Sequence, residues 1–344
     1  MNILFVGSGY INSTSVQLSR CIAANPEIKH AGFIDSFQHI ITHFKKKDGR
    51  ILEKFYEQKQ VIDLSFFFSP FPFKIDEFFD VIFIEQNGFK FKNDILDVDV
   101  IYYHRDIPND LFMEDMDILL YRFKKHERKI AREYPKLWGN GITKQRFLNG
   151  VEMRAFDYTK ERIHKGINWI GWKNTWKYYW DRPSQKAYYL HVRGIVNFAR
   201  KHNLVKYHEH GIPYPEYKDI LEQSEAVLII PGTEAYVTRK IYEAASSKTM
   251  IVLYVQNDEG EQIYNEMGLV HEVNCLMFHS NEELRKLKKK YRTYNRKLIT
   301  QNAYNWVKEN HTWDLRAKEL IEIYKNYKIK KEEVEKCQII TRKN

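Results

Sequence analysis

The sequence predicts an α/β protein made of two Rossmann-like domains with parallel sheets that face a cleft. Apolar runs of strand length alternate with amphipathic stretches of helix length along the chain. At 344 residues the chain is long enough for two domains, each with a full core. Glycine-containing polar segments follow the strand-like runs, on the side where an open parallel sheet binds ligands.

In the first half, strands are expected near Asn2–Val6, Gly32–Ile34, Val61–Leu64, Val81–Ile84, Val100–Tyr103 and Ile118–Tyr121, with a helix over Thr14–Ala24. In the second half, strands are expected near Ile167–Ile170, Val205–His208, Ala226–Ile230, Ile251–Tyr254 and Cys275–Phe278. Helices over Gln185–His202, Tyr214–Gln223, Arg239–Ser246, Glu261–Met267 and Asn281–Trp306 separate or follow them. The charged tail after Tyr327 reads as a frayed end or an extra helix.

Composition narrows the function classes. Three cysteines stand far apart without metal-ligand spacing, which argues for a reducing, cytoplasmic setting and against a disulfide framework. No leader with a charged and then a long apolar region is expected, and no apolar run reaches the roughly 20 residues that cross a bilayer. The net charge is +10. From Arg285 to Asn344 there are 18 Lys/Arg against 7 Asp/Glu, and a second basic cluster spans Arg122–Arg132. Such runs are ordinarily solvated helix faces. Their functional reading is an anionic partner: nucleic acid, a membrane surface in peripheral contact, or a phosphorylated glycan.

The chemistry concentrates in Val237–Val252. A carboxylate near the start of a helix, Glu243, stands where it can hold ribose hydroxyls. Thr238, Arg239 and Lys240 just before it offer a hydroxyl and two cations beside free helix N–H groups, a setting for a diphosphate. After Gly171, Lys173 and Lys177 are within reach of the same phosphates, with Lys206 a further candidate. Gly7, Ser8 and Gly9 follow the first strand as an incomplete dinucleotide fingerprint, which disfavours an oxidoreductase. His104 and Asp106 place titratable groups at the end of the Val100–Tyr103 strand. Asp97 and Asp99 mimic a metal-binding pair but precede a strand, where a plain turn is expected. The 13 His are scattered, so no metal site is read.

The Val237–Met250 segment resembles the donor-binding helix of GT-B glycosyltransferases. Phe147–Phe156 resembles the segment that ends their first domain, Gly166–Trp172 the strand and glycine that open the second, and His311–Glu319 the ending of the CgeB-like and family-4-like members. The likeness is good over Asn149–Tyr324 and topological before that. It implies a first domain over 1–150, a linker over 151–165, a nucleotide-sugar domain over 166–312, and a C-terminal helix and basic tail over 313–344 returning to the first domain.

The resemblance further implies a metal-independent hexosyltransferase with no cofactor, whose co-substrate is a nucleotide-sugar such as UDP-glucose. Gly171, Lys173, His210, Tyr214, Thr238, Arg239, Lys240 and Glu243 would hold the donor, with the base along His210–Pro215. Gly7, Ser8 and Gly9 would face donor and acceptor. His104 would touch the donor sugar and Asp106 would serve as base, as in the phage DNA β-glucosyltransferase to which this strand end is similar. The family's second Glu falls at Ala235 here, with Glu234 one residue off as the catalytic candidate. The acceptor would be a glycan or lipid-linked glycan; a hydroxylated base in DNA and a catalytically silent nucleotide-sugar binder are the alternatives.

Overall fold

The computed structural model describes residues 1–7, 14–35, 40–47, 50–57, 79–85, 98–104, 116–121, 127–128, 131–132, 142–148, 150–171, 183–209, 213–231 and 238–343. They divide into two compact units, Met1–Gly150 with Trp313–Asn344, and Val151–Thr312.

The first unit holds β1 (Asn2–Gly7), α1 (Thr14–Ala24), β2 (His30–Asp35), β3 (Ile40–Lys47), β4 (Arg50–Glu57), β5 (Val81–Glu85), β6 (Asp99–His104), β7 (Ile118–Tyr121) and β8 (Thr143–Arg146). They form one sheet in the order β4-β3-β2-β1-β5-β6-β7-β8. From β2 to β8 every pairing is parallel, while β3 and β4 are added antiparallel at one edge. That hairpin is absent from the expected elements. Its strands are rich in Lys and Glu and so lack a buried strand's apolar run. Only Asp48 and Gly49 separate them, however, and an Asp-Gly pair between strand-length runs is a hairpin signal. The strand expected at Val61–Leu64 lies outside the described residues.

Central strands such as β5 are buried along their whole length, as helices on both faces of a parallel sheet require. Phe5, Phe83, Ile101, Tyr103 and Leu120 pack with Leu18 and Ile22 of α1. The final helix, α8 (Trp313–Lys343), completes this core with Trp313, Ala317, Leu320, Ile321 and Tyr324, spaced on one helical face. The tail after Tyr327 is thus the continuation of one helix through Lys343. Polar bonds fix α8 at the amino ends of the strands. Buried Asp99 accepts from Tyr324 Oη at 2.8 Å and Lys331 Nζ at 2.7 Å, and pairs with Lys328 at 3.2 Å. Asp117 accepts from Tyr327 Oη at 2.6 Å. Asp99, read as a turn residue, therefore opens β6 and anchors a helix.

The second unit holds β9 (His164–Gly171), α2 (Pro183–Lys201), β10 (Lys206–Glu209), α3 (Tyr214–Glu222), β11 (Ser224–Ile229), α4 (Arg239–Ser246), β12 (Met250–Tyr254), α5 (Asp258–Glu266), β13 (Leu276–Phe278), α6 (Asn281–Lys290) and α7 (Arg296–Asn310). Its sheet is parallel throughout, in the order β10-β9-β11-β12-β13. The single helix expected over Asn281–Trp306 is two. Asn295 breaks it, because its side chain accepts the Leu298 N–H at 3.2 Å and so starts α7 afresh. Among the described residues no helix is long and apolar enough to cross a membrane.

Candidate functional site

In the second sheet the chain steps from β9 to β10 on one side, then returns across to β11 on the other. Such a reversal opens a crevice at the carboxyl ends of the strands, the usual ligand position in an open α/β sheet. Six of the predicted residues, Gly171, Tyr214, Thr238, Arg239, Lys240 and Glu243, lie on β9, α3 and α4 around this point.

The end of β9 is shaped by Trp169 and Gly171. The indole of Trp169 covers Gly171 so closely that a Cβ there would stand 2.4 Å from the ring. Glycine is therefore required by close approach. Tyr207 Oη donates to the Gly171 carbonyl at 3.2 Å.

Thr238 caps α4 and its hydroxyl accepts the Lys240 N–H at 3.4 Å. Lys240 reaches back to β9 and its ammonium donates to the Ile170 carbonyl at 2.6 Å. It lies 5.9 Å from the Trp169 ring and 5.8 Å from that of Tyr217. Burial pushes its pKa down to about 8, opposed by the charge of Glu243. Expected as a phosphate ligand, Lys240 thus also ties the start of α4 to the end of β9.

Glu243 stands one turn further along. It is buried, at 8% exposure, and its Oε2 accepts from Tyr217 Oη at 2.6 Å. The Ser247 hydroxyl and N–H donate to the Glu243 backbone carbonyl, not to its carboxylate. Tyr217 stacks on Tyr214, with centroids 5.9 Å apart and planes 30° apart. Burial pushes both phenols up, Glu243 adds to the rise, and the Arg239 guanidinium opposes it. Arg239 is thus within electrostatic range of both rings. Its Nη1 is buried with no hydrogen-bond partner among the described residues.

The far end of α3 is fixed by Glu222. This fully buried carboxylate accepts the Asp157 N–H at 2.7 Å and pairs with Lys160 at 2.7 Å and Lys218 at 3.0 Å.

Other predicted residues stand elsewhere. Lys206 opens β10 at the amino end of the sheet, near Lys288, away from Gly171. Gly7 and His104 are the last residues of β1 and β6, at the carboxyl ends of the first unit's sheet. Ser8, Gly9, Asp106, Lys173, Lys177, His210 and Glu234 lie outside the described residues. Tyr217 and Trp169 were not singled out from sequence. Tyr217 follows Tyr214 by three positions, one helical turn, which is the signal that marks it.

Residues 175–322 match the family model described as Glycosyl transferase-like. The solved structures agree on fold. The sucrose-phosphate synthase of Thermosynechococcus elongatus superposes with a TM-score of 0.58 at 10% identity, covering 94% of this chain and 98% of that one. The E. coli trehalose-6-phosphate structure bound with UDP-2-fluoro glucose gives 0.59 at 12% identity, covering 93% and 98%. This is a GT-B glycosyltransferase fold. A glycosyltransferase from Rickettsia africae ESF-5 also superposes on the GT-B chain, with a TM-score of 0.56 at 12% identity over 95% of this chain and 98% of its own. No curated protein sequence matches it.

Proposed function

We propose that this GT-B protein transfers a hexose from a nucleotide-sugar, a UDP-sugar first among them, to an acceptor hydroxyl on a glycan or lipid-linked glycan. The observation that carries the reading is one cluster at the switch point of the second sheet: a buried carboxylate, Glu243, beside Arg239 and Lys240 on the first turn of α4. Glu243 takes the ribose hydroxyls. Arg239, the helix N-terminus and the Lys240 charge meet the diphosphate beside the Gly171 end of β9. The base would lie along Tyr214 and the His210–Pro215 segment. The structure of Anabaena HepE, which shares the fold, contains UDP-glucose; this supports UDP as the first nucleotide to try.

Charge develops on the leaving diphosphate during transfer, and fixed cations and helix dipoles stabilise it without reorganising. Asp106 would take the acceptor proton, with His104 at the donor sugar. This donor set supports chemistry without a metal. Turnover should therefore persist in EDTA; activity lost in EDTA and restored by manganese would contradict this.

A hydroxylated base in DNA is the second acceptor class. Lys165 and Arg296 pair with Glu225 at 3.8 and 3.3 Å, and Lys288 also feels Glu225, so three cations share one carboxylate, while Lys206 and Arg292 add positive charge around Lys288. Duplex binding that weakens steeply with salt, with a slope near −0.9 per phosphate contact, would favour it. No binding at low salt leaves the glycan.

The proposal as a whole is tested by titrating the protein calorimetrically with UDP, GDP, ADP and their glucose conjugates. Binding of one nucleotide, lost in Glu243→Ala, is expected. A folded wild-type protein that binds none of them overturns it.

A further inference from the structure

We infer that Tyr217 is a positioning residue which presets Glu243 to accept from the donor ribose; the inference rests on the assignment of Glu243 proposed above. The two side chains come from different helices, α3 and α4, and meet only in the folded unit. The phenol donates to Oε2 at 2.6 Å, the length of a charge-assisted bond. The other oxygen, Oε1, has no hydrogen-bond partner among the described residues and is not among the sealed polar atoms of the interior. The carboxylate thus has one oxygen held and one reachable. That arrangement matches a group that must accept a ligand's hydroxyl without first finding its rotamer.

Tyr217 is itself held. Its ring stacks on Tyr214, and the Lys240 ammonium sits 5.8 Å from its centroid while bonded to Ile170. A glutamate free to rotate would lose side-chain entropy on meeting the ribose. With Tyr217 in place the loss occurs on folding, and binding gains the difference. The hydroxyl, and not the ring, carries this role. Ring packing alone would be satisfied by phenylalanine.

The experiment compares UDP with 2′,3′-dideoxy-UDP, which lacks both ribose hydroxyls, in calorimetric titrations of the full-length wild type, Tyr217→Phe and Glu243→Ala. Wild type should prefer UDP, and Glu243→Ala should abolish that preference. Tyr217→Phe should lose about tenfold in UDP affinity, the size of one hydrogen bond to a charged group, with dideoxy-UDP affinity unchanged. A merely structural tyrosine would weaken both ligands equally and keep their ratio, which overturns the inference. So does a wild-type ratio in Tyr217→Phe when Glu243→Ala has lost it. If Glu243→Ala keeps the ratio, or wild type binds neither ligand, the Glu243 assignment fails first and this inference with it. Should Tyr217→Phe not fold, Tyr217→His, whose shorter ring withdraws the donor from Oε2, is judged by the same ratio.

Discussion

At the residue scale, Glu243 and Lys240 are held by bonds from neighbouring elements, Tyr217 and the Ile170 carbonyl, on the same helical turn that is proposed to bind the donor. Glu243→Ala should weaken nucleotide binding by about 1.5–3 kcal/mol, the range for a hydrogen bond to a charged group. Calorimetry on the folded variant checks this, and an unchanged affinity removes Glu243 from the site. Lys240 predicts a pH dependence. Burial lowers its pKa in the fold from the ordinary lysine range to about 8. Between about pH 8 and the unfolded value, the unfolded chain therefore binds more protons. Stability contributed by this group rises with pH across that window and is lost as pH falls through about 8. Binding is predicted to have the opposite sign, because the cation proposed to meet the diphosphate disappears above that pH. Nucleotide affinity should fall from pH 7 to 9 in the wild type and stay nearly flat in Lys240→Arg, since arginine keeps its charge. Equal pH profiles in the two proteins would remove Lys240 from phosphate binding. Glu243 was legible because it follows β11 and the run from Thr238 to Lys240. For Tyr217 only the one-turn spacing from Tyr214 was legible; its bond to Glu243 joins residues 26 apart, and no local pattern encodes that bond.

At the element scale, α8 is the case where sequence showed the helix but not what held it. Its apolar stripe from Trp313 to Tyr324 is periodic and readable, whereas its second anchor is a carboxylate more than two hundred positions earlier. Burial pushes the Asp99 carboxyl up, but bonds from Lys331 and Tyr324 and the charges of Lys331 and Lys328 outweigh it and hold the pKa low. A lowered carboxyl contributes stability that is complete above the ordinary aspartate range and lost as pH falls through the folded value. Asp99→Ala should cost about 1–3 kcal/mol in urea unfolding at neutral pH, and the difference from wild type should shrink below about pH 4. A constant difference down to low pH would mean that packing and not charge holds α8. The break between α6 and α7 went unread for a related reason. Asn295 suits an exposed helix position as well as a cap, and only its bond to Leu298 N–H decides between them. The β3–β4 hairpin carried its signal in Asp48-Gly49, outweighed there by the charge of its strands.

At the scale of the whole molecule, the alternation of apolar runs and amphipathic helices was enough to give two parallel sheets, because buried parallel strands must be apolar throughout. The pattern says which strands end near a ligand. It does not say which side chains face it, since those come from separate loops and helices brought together by the sheet. The central proposal is that the second unit carries a nucleotide-sugar site centred on Glu243. The most direct measurement is the release of nucleoside diphosphate from UDP-glucose without acceptor, comparing wild type with a Glu243→Ala protein of equal melting temperature. Slow release by the wild type, reduced at least about tenfold in the variant at subsaturating donor, is the predicted result. Equal release by the two proteins, or none by a wild type that also binds no nucleotide, would contradict the claim.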